Sequence, residues 1–161
     1  MNPMLTKAPV RLCAHRGFGA ILPENTLPAY GAALALGADE IEFDLWASRD
    51  GVIVSCHEID LSRCSDGHGR IYEHTFEELR ALDFGSVRFP ELVGLTIPTF
   101  EEILQHFAGR ITLAVHVKDP DNVSPLPERT VCEIVRLLKK YGGGTPALDA
   151  YFLCGNNALL A

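Results

Sequence analysis

The sequence predicts an α/β fold built on a parallel sheet, and three observations carry that prediction. A β-prone run, Val10 to Ala14, is followed by a helical stretch and then by a second strand around Glu42 and Asp44, the order of a βαβ unit. A clear strand, Ile111 to Val117, is likewise followed by helical spacing and then by a further strand, Ala150 to Cys154. Between these lie two Thr-x-x-Glu capping boxes, at Thr75–Glu78 and Thr99–Glu102, each of which marks a helix start.

Each element has its own local reason. The first strand delivers His15-Arg16-Gly17 at its C-terminal end, and Gly17 to Ala20 reads as a loop. In Pro23-Glu24-Asn25-Thr26, Asn25 or Thr26 is a natural N-cap, with Pro28 in the first turn. Leu27, Tyr30 and Leu34 share one helix face, and Gly37 stands where the helix should stop. Ile41, Phe43 and Leu45 then alternate with Glu42, Asp44 and Trp46, the period of a strand with one apolar face. Asp50-Gly51 is a hairpin signal, and Val52 to Val54 form the return arm. A turn centred on residues 49–51 sets position 44 opposite position 56 and brings Glu42, Asp44 and His57 close together.

After His57 the chain is polar and glycine-punctuated to Arg70, so 58–98 reads as a loop-rich insertion. The Thr75 box starts a short helix ending near Leu82, and 83–94 is irregular. The Thr99 box starts a helix whose buried stripe is Phe100, Ile103, Leu104 and Phe107. On the strand that follows, Ala114, His116 and Lys118 point one way and Leu113, Val115 and Val117 the other. A proline-bearing loop leads to a helix with Val131, Ile134, Val135 and Leu138 at helical spacing, stopped by Gly142 to Gly144. Gly155-Asn156-Asn157 resembles the N-cap of one more helix.

Bulk properties bound the function. The 161 residues are 47% hydrophobic and 22% charged, as expected of one globular domain spanning 1–161. A net charge of -7 disfavours nucleic acid or an anionic membrane as partner. No run approaches the roughly 20 apolar residues of a membrane span, and Met1 to Val10 lacks a signal-peptide core. Five cysteines without C-x-x-C spacing indicate neither a disulfide framework nor a zinc site. A cytoplasmic enzyme or binding domain is the expectation.

The chemistry gathers between Glu40 and His57. Two carboxylates two apart on one strand face suit a hard cation, and a histidine beside them is a candidate proton carrier. Acidic strand residues are also commonly solvated without any function. Cys13 and Cys56 flank the two motif histidines at alternate strand positions and read as packing groups.

Taken in order, His15-Arg16-Gly17, Pro23-Glu24-Asn25-Thr26, Glu42-x-Asp44, Asp50-Gly51 and His57-Glu58 followed by Leu61-x-Arg63 resemble the glycerophosphodiester phosphodiesterase family of the phospholipase-C-like phosphodiesterases. Asp66-Gly67-x-Gly69, Ile97-Pro98-Thr99-x-Glu101-Glu102 and Lys118 extend the match over nearly the whole chain. The resemblance implies a (β/α)8 TIM-type barrel with its motifs at the C-terminal strand ends. It implies hydrolysis of small-molecule glycerophosphodiesters to glycerol 3-phosphate and an alcohol, with a divalent cation, magnesium or calcium. By the same resemblance His15 and His57 are the general acid and base, Arg16 contacts the phosphate, and Glu42 and Asp44 bind the metal.

Elementary chemistry agrees with that assignment. A phosphodiester is an anion that must lose an alkoxide, so its site needs positive charge on the non-bridging oxygens and a proton for the leaving group. Arg16 can bind phosphate bidentately and Lys118 can add a point charge.

Two departures stand out. His116-x-Lys118 replaces the family's Glu-x-Lys, so the third metal ligand becomes an imidazole, which suits manganese or zinc, or else His116 sits behind the ligands. Barrels of this kind have about 250 residues, so 161 residues make about the first five of eight strand units. Two rival readings stay open: a headgroup-cleaving lyase that leaves a cyclic phosphate, and a degenerate binding domain without turnover.

Overall fold

The computed structural model describes residues 10–118, 127–144 and 147–153. Its centre is a five-stranded sheet. In chain order the elements are β1 (Cys13–His15), α1 (Leu27–Ala35), β2 (Glu40–Ala47), β3 (Ile53–Ser55), α2 (Phe76–Arg80), α3 (Phe100–Phe107), β4 (Thr112–Val117), α4 (Glu128–Gly142) and β5 (Ala150–Leu153). Strands β1, β2, β4 and β5 run parallel in that spatial order, and β3 is the antiparallel arm of a hairpin with β2. This is the first part of a (β/α) barrel, with α1 crossing from β1 to β2 and α4 from β4 to β5. The N-cap signal at 155–157 and most of the proline-bearing loop lie outside the described residues.

The hairpin has the register that its turn residues predict. Leu45 pairs with Ser55 and Ala47 with Ile53, and the Cys56 amide donates to the Asp44 carbonyl at 3.1 Å, which sets 44 opposite 56. The turn closes through Gly51 N to Ser48 O at 3.0 Å, and Gly51 takes φ 88°, a value a side chain would resist. Because β4 takes one edge of β2 along residues 40–45, β1 and β3 share the opposite edge, one after the other.

Alternation along β2 and β4 divides two environments. Ile41, Phe43, Leu45, Leu113 and Val115 face the helices and, with Tyr30, Phe100, Ile103 and Phe107, form the main core. Phe43 meets Tyr30 at 5.7 Å and Phe100 at 6.1 Å between ring centroids, distances at which tilted rings attract. Truncating Phe43 to alanine in such a setting costs about 3–5 kcal/mol. The other face carries Glu42, Asp44, Trp46, Ala114 and His116. Parallel pairing of Asp44 with His116 places both on that face.

Both capping boxes form as their sequences require. Thr75 Oγ1 accepts from Glu78 N and Thr99 Oγ1 from Glu102 N, and each glutamate reaches back to its threonine amide. All four stripe residues of α3 are buried. In α4 the buried positions are Thr130, Ile134 and Leu137, while Val131 and Val135 remain 40% exposed. Of the spacing read in the sequence, Ile134 is buried and Leu138 packs against the core, while Thr130 and Leu137 take the inward places expected of Val131 and Val135; α4 also meets α3, through Glu101 to Lys140 and Tyr141. Between β3 and α3 two short 3₁₀ turns and α2 enclose a second core of Trp46, Val54, Leu61, Ile71, Leu79, Phe84 and Ile97.

Candidate functional site

The C-terminal ends of β1, β2 and β4 deliver the polar side chains to one place. His15 closes β1 opposite Glu42, and the chain then turns sharply. Arg16 takes the left-handed φ of 58° and Gly17 follows at 78°. A Cβ on Gly17 would sit 2.7 Å from the Ala29 backbone, so this turn packs against α1 only with glycine there. A left-handed arginine is strained, and its surroundings hold it. Its amide donates to the Glu42 carbonyl at 2.9 Å, and its carbonyl accepts from Asn25 N at 3.1 Å.

Glu42 and Asp44 are 6% and 1% exposed, so their carboxylates sit in the interior rather than in solvent. Burial, and then the charge of Asp44, push the Glu42 carboxyl above its usual range, with His15 and Arg16 opposing. Asp44 is the better supported. Its Oδ1 lies 3.0 Å from Lys118 Nζ and 3.3 Å from His116 Nδ1, and its Oδ2 accepts from Asn25 Nδ2 at 3.2 Å. Burial, then the Lys118 charge, hold the His116 imidazole below its ordinary pKa, with Asp44 opposing. One donor atom each from Glu42, Asp44 and His116 lie within 4.8 Å of one another. Two buried carboxylates that repel each other, beside an imidazole, form a donor set that a divalent cation fits.

Behind these groups stands Asn25, one of the two cap candidates and a member of the Pro23-Glu24-Asn25-Thr26 motif. The cap is Thr26 instead. Asn25 adopts φ 57° and turns its amide inward, where Oδ1 accepts from Asp44 N at 3.2 Å, Tyr30 Oη at 3.0 Å and Ser55 Oγ at 3.2 Å. Tyr30, a core residue by its helical spacing, therefore also serves the polar site. The signal available was the asparagine of Pro-Glu-Asn-Thr itself, whose side chain had two possible uses.

Arg16 and His57 share the wall of a cavity of about 230 Å³ with Glu24, Glu58, Arg63 and Arg88. Arg16 Nη1 donates to Glu24 at 3.1 Å, whereas its Nε is buried without a hydrogen bond, 3.7 Å from Asp44, too far to be one. His57 Nδ1 lies 3.3 Å from Glu58, whose other oxygen lies 3.4 Å from Arg63. Among the described contacts His57 thus meets Glu58 and not the carboxylates that the hairpin was expected to bring beside it. His15 has a 70% exposed side chain, with Nε2 3.9 Å from Glu42.

Comparison with known proteins gives the same picture. Residues 15–156 match the model of the glycerophosphoryl diester phosphodiesterase family. A glycerophosphodiester phosphodiesterase of Bacillus subtilis is 33% identical over 129 residues, covering 75% of this chain and 44% of that protein. One of Caldanaerobacter subterraneus is 40% identical over 130 residues, covering 80% and 52%. The chain thus spans about half the length of these relatives. The structure of an Oleispira antarctica phosphodiesterase in complex with the product sn-glycerol-3-phosphate superposes with a TM-score of 0.84 at 33% identity, over 94% of this chain and 60% of that one. A glycerophosphodiester phosphodiesterase of Agrobacterium tumefaciens gives 0.80 at 27% identity, over 93% and 60%. With 142 consecutive positions aligned and its first four parallel strands in place, the chain belongs to the glycerophosphoryl diester phosphodiesterase family.

Proposed function

We propose that this chain carries the catalytic face of a metal-dependent phosphodiesterase that hydrolyses small glycerophosphodiesters to glycerol 3-phosphate and an alcohol. The observation that carries the reading is the buried group of Glu42, Asp44 and His116, set beside a guanidinium with an unused donor. The glycerol 3-phosphate bound to the Oleispira relative supports the substrate class. Glu42, Asp44 and His116 would hold the cation; when bound it supplies positive charge to the non-bridging phosphate oxygens. By family likeness the ion is magnesium or calcium; the imidazole of His116 favours manganese or zinc.

The chain's own residues do the rest. Arg16 turns its buried Nε–H toward the phosphate, and Lys118 adds a second positive charge on the opposite side of Asp44. One of His15 and His57 takes the proton of the attacking water, and the other returns a proton to the leaving alkoxide. Glu58 orients His57 for this. The loop-rich segment 58–98 acts as an insertion that walls the pocket for the alcohol. The reaction takes place in the cytoplasm, without nucleic acid as partner.

Phosphorus NMR of sn-glycero-3-phosphocholine incubated with the protein and each cation in turn tests this. Glycerol 3-phosphate as the product supports it; a cyclic phosphate shows a lyase. Cation binding without turnover shows a binding domain, the reading that His116 in place of a glutamate favours.

A further inference from the structure

We infer that Cys56 and Cys64 form a redox-modifiable dithiol, a site at which a peroxide or a small disulfide closes a covalent link across the base of the cavity. Their Sγ atoms lie 3.4 Å apart, against about 2.05 Å in a disulfide, so a small shift of two side chains makes the bond. Both residues line the cavity that His57 and Arg63 line. Cys56 directly follows β3, is 3% exposed, and is pinned by its amide to Asp44. Cys64 is the C-cap of the 3₁₀ turn Leu61–Arg63 and is only partly buried. The remaining described cysteines, Cys13 and Cys132, are exposed and have no thiol partner among the described residues.

The exposures divide the roles. Cys56 is closed off from solvent at 3% exposure while Cys64 is partly exposed, so Cys64 meets the oxidant. With a peroxide, the Cys64 thiolate attacks one oxygen, the O–O bond breaks, and Cys64 becomes a sulfenic acid as the peroxide is reduced to water. Cys56 sulfur then attacks the Cys64 sulfur; the S–O bond breaks, hydroxide leaves, and the Cys56 proton completes a second water. With a small disulfide, Cys64 first forms a mixed disulfide and Cys56 displaces the second thiol. Either route ties the turn that carries Arg63 to the strand end that carries His57. The effective concentration of thiols only eight residues apart is in the millimolar range, so this pairing outruns pairing between molecules.

Peptide mapping of the whole chain tests it. Tryptic cleavage after Arg49, Arg63 and Arg70 puts Cys56 on the peptide 50–63 and Cys64 on 64–70. After brief treatment with hydrogen peroxide and alkylation, the expected product is these two peptides joined, lighter by two hydrogen atoms. Its rate should not depend on protein concentration, and reductant should separate the pair. In Cys64→Ser, Cys56 should stay free and alkylate after unfolding. The inference is overturned if both cysteines remain free thiols at exposures that oxidise Cys13 or Cys132. It is equally overturned if Cys64 passes to sulfinic acid with no link to Cys56. Neither result bears on phosphodiester hydrolysis, so this test and the product assay fail separately.

Discussion

Among single residues, Asp44 and the groups that hold it are central to the site. Four groups contact its carboxylate, and Asn25 supports both its amide and its Oδ2. Replacing Asn25 by alanine leaves the Asp44 amide and one hydroxyl of the Tyr30–Ser55 pair short of an acceptor in the interior. We expect a stability loss of about 1–3 kcal/mol in urea melts. Cation affinity should fall on the order of 10–100-fold, because the carboxylate loses its orienting partner. An Asn25→Ala protein that binds cations as well as its parent would show that Asn25 serves packing alone. The two histidines give a second prediction at this scale. His15→Ala and His57→Ala should each lower kcat by about 10²-fold or more, and the double variant little further than the worse single one. Steady-state rates with a cation-binding check decide it, and a near-normal rate in either single variant removes that histidine from the mechanism.

Among elements, α3 shows how far the sequence alone could be read. Thr99, Glu102 and the four apolar positions specified its start, its face and its burial without tertiary information. The hairpin was equally legible, because Asp50-Gly51 fixes a register and the register fixes which side chains lie opposite. Helix α4 was legible in its existence and in part of its face: Ile134 and Leu138 turn to the core as their spacing predicts, but Thr130 and Leu137 rather than Val131 and Val135 complete the buried side. The same holds for Asn25, a residue equally suited to capping a helix and to bonding a strand across the sheet. His57 pairs with Glu58, its neighbour in sequence, a contact that the hairpin register does not specify. The capping box of α3 makes its own prediction. Thr99→Ala should lower stability by about 1 kcal/mol, seen as a lower Tm. Burial opposes ionisation of Glu102, but the Thr99 amide, the Thr99 hydroxyl and Arg80 together hold its carboxyl below the ordinary value of 4.5. A depressed carboxylate stabilises the fold above its unfolded pKa, and that contribution is lost as pH falls through the folded pKa. Acid titration of the wild type should therefore show a loss below about pH 4.5 that Glu102→Gln lacks; identical acid limbs would contradict this.

For the whole molecule, β5 is an edge of the sheet among the described residues, and its Tyr151, Phe152 and Leu153 are 42%, 47% and 39% exposed. An apolar edge strand with one side unpaired invites another strand. We expect the 161-residue chain to self-associate through this edge, giving sedimentation coefficients that rise with concentration; a monomer at all concentrations with a sharp thermal transition would contradict it. The polar site lies on β1, β2 and β4, so the candidate cation group of Glu42, Asp44 and His116 falls within the described residues. That separation makes cation binding a more direct test than turnover, which needs a whole substrate pocket. The decisive measurement is calorimetric titration of the chain, and of His116→Glu, with manganese, zinc, magnesium and calcium. One site that prefers manganese or zinc is expected, with a reversed order toward magnesium and calcium in His116→Glu and loss of binding in Asp44→Asn. Heats of dilution alone for all four cations, or an affinity order untouched by either substitution, would contradict it.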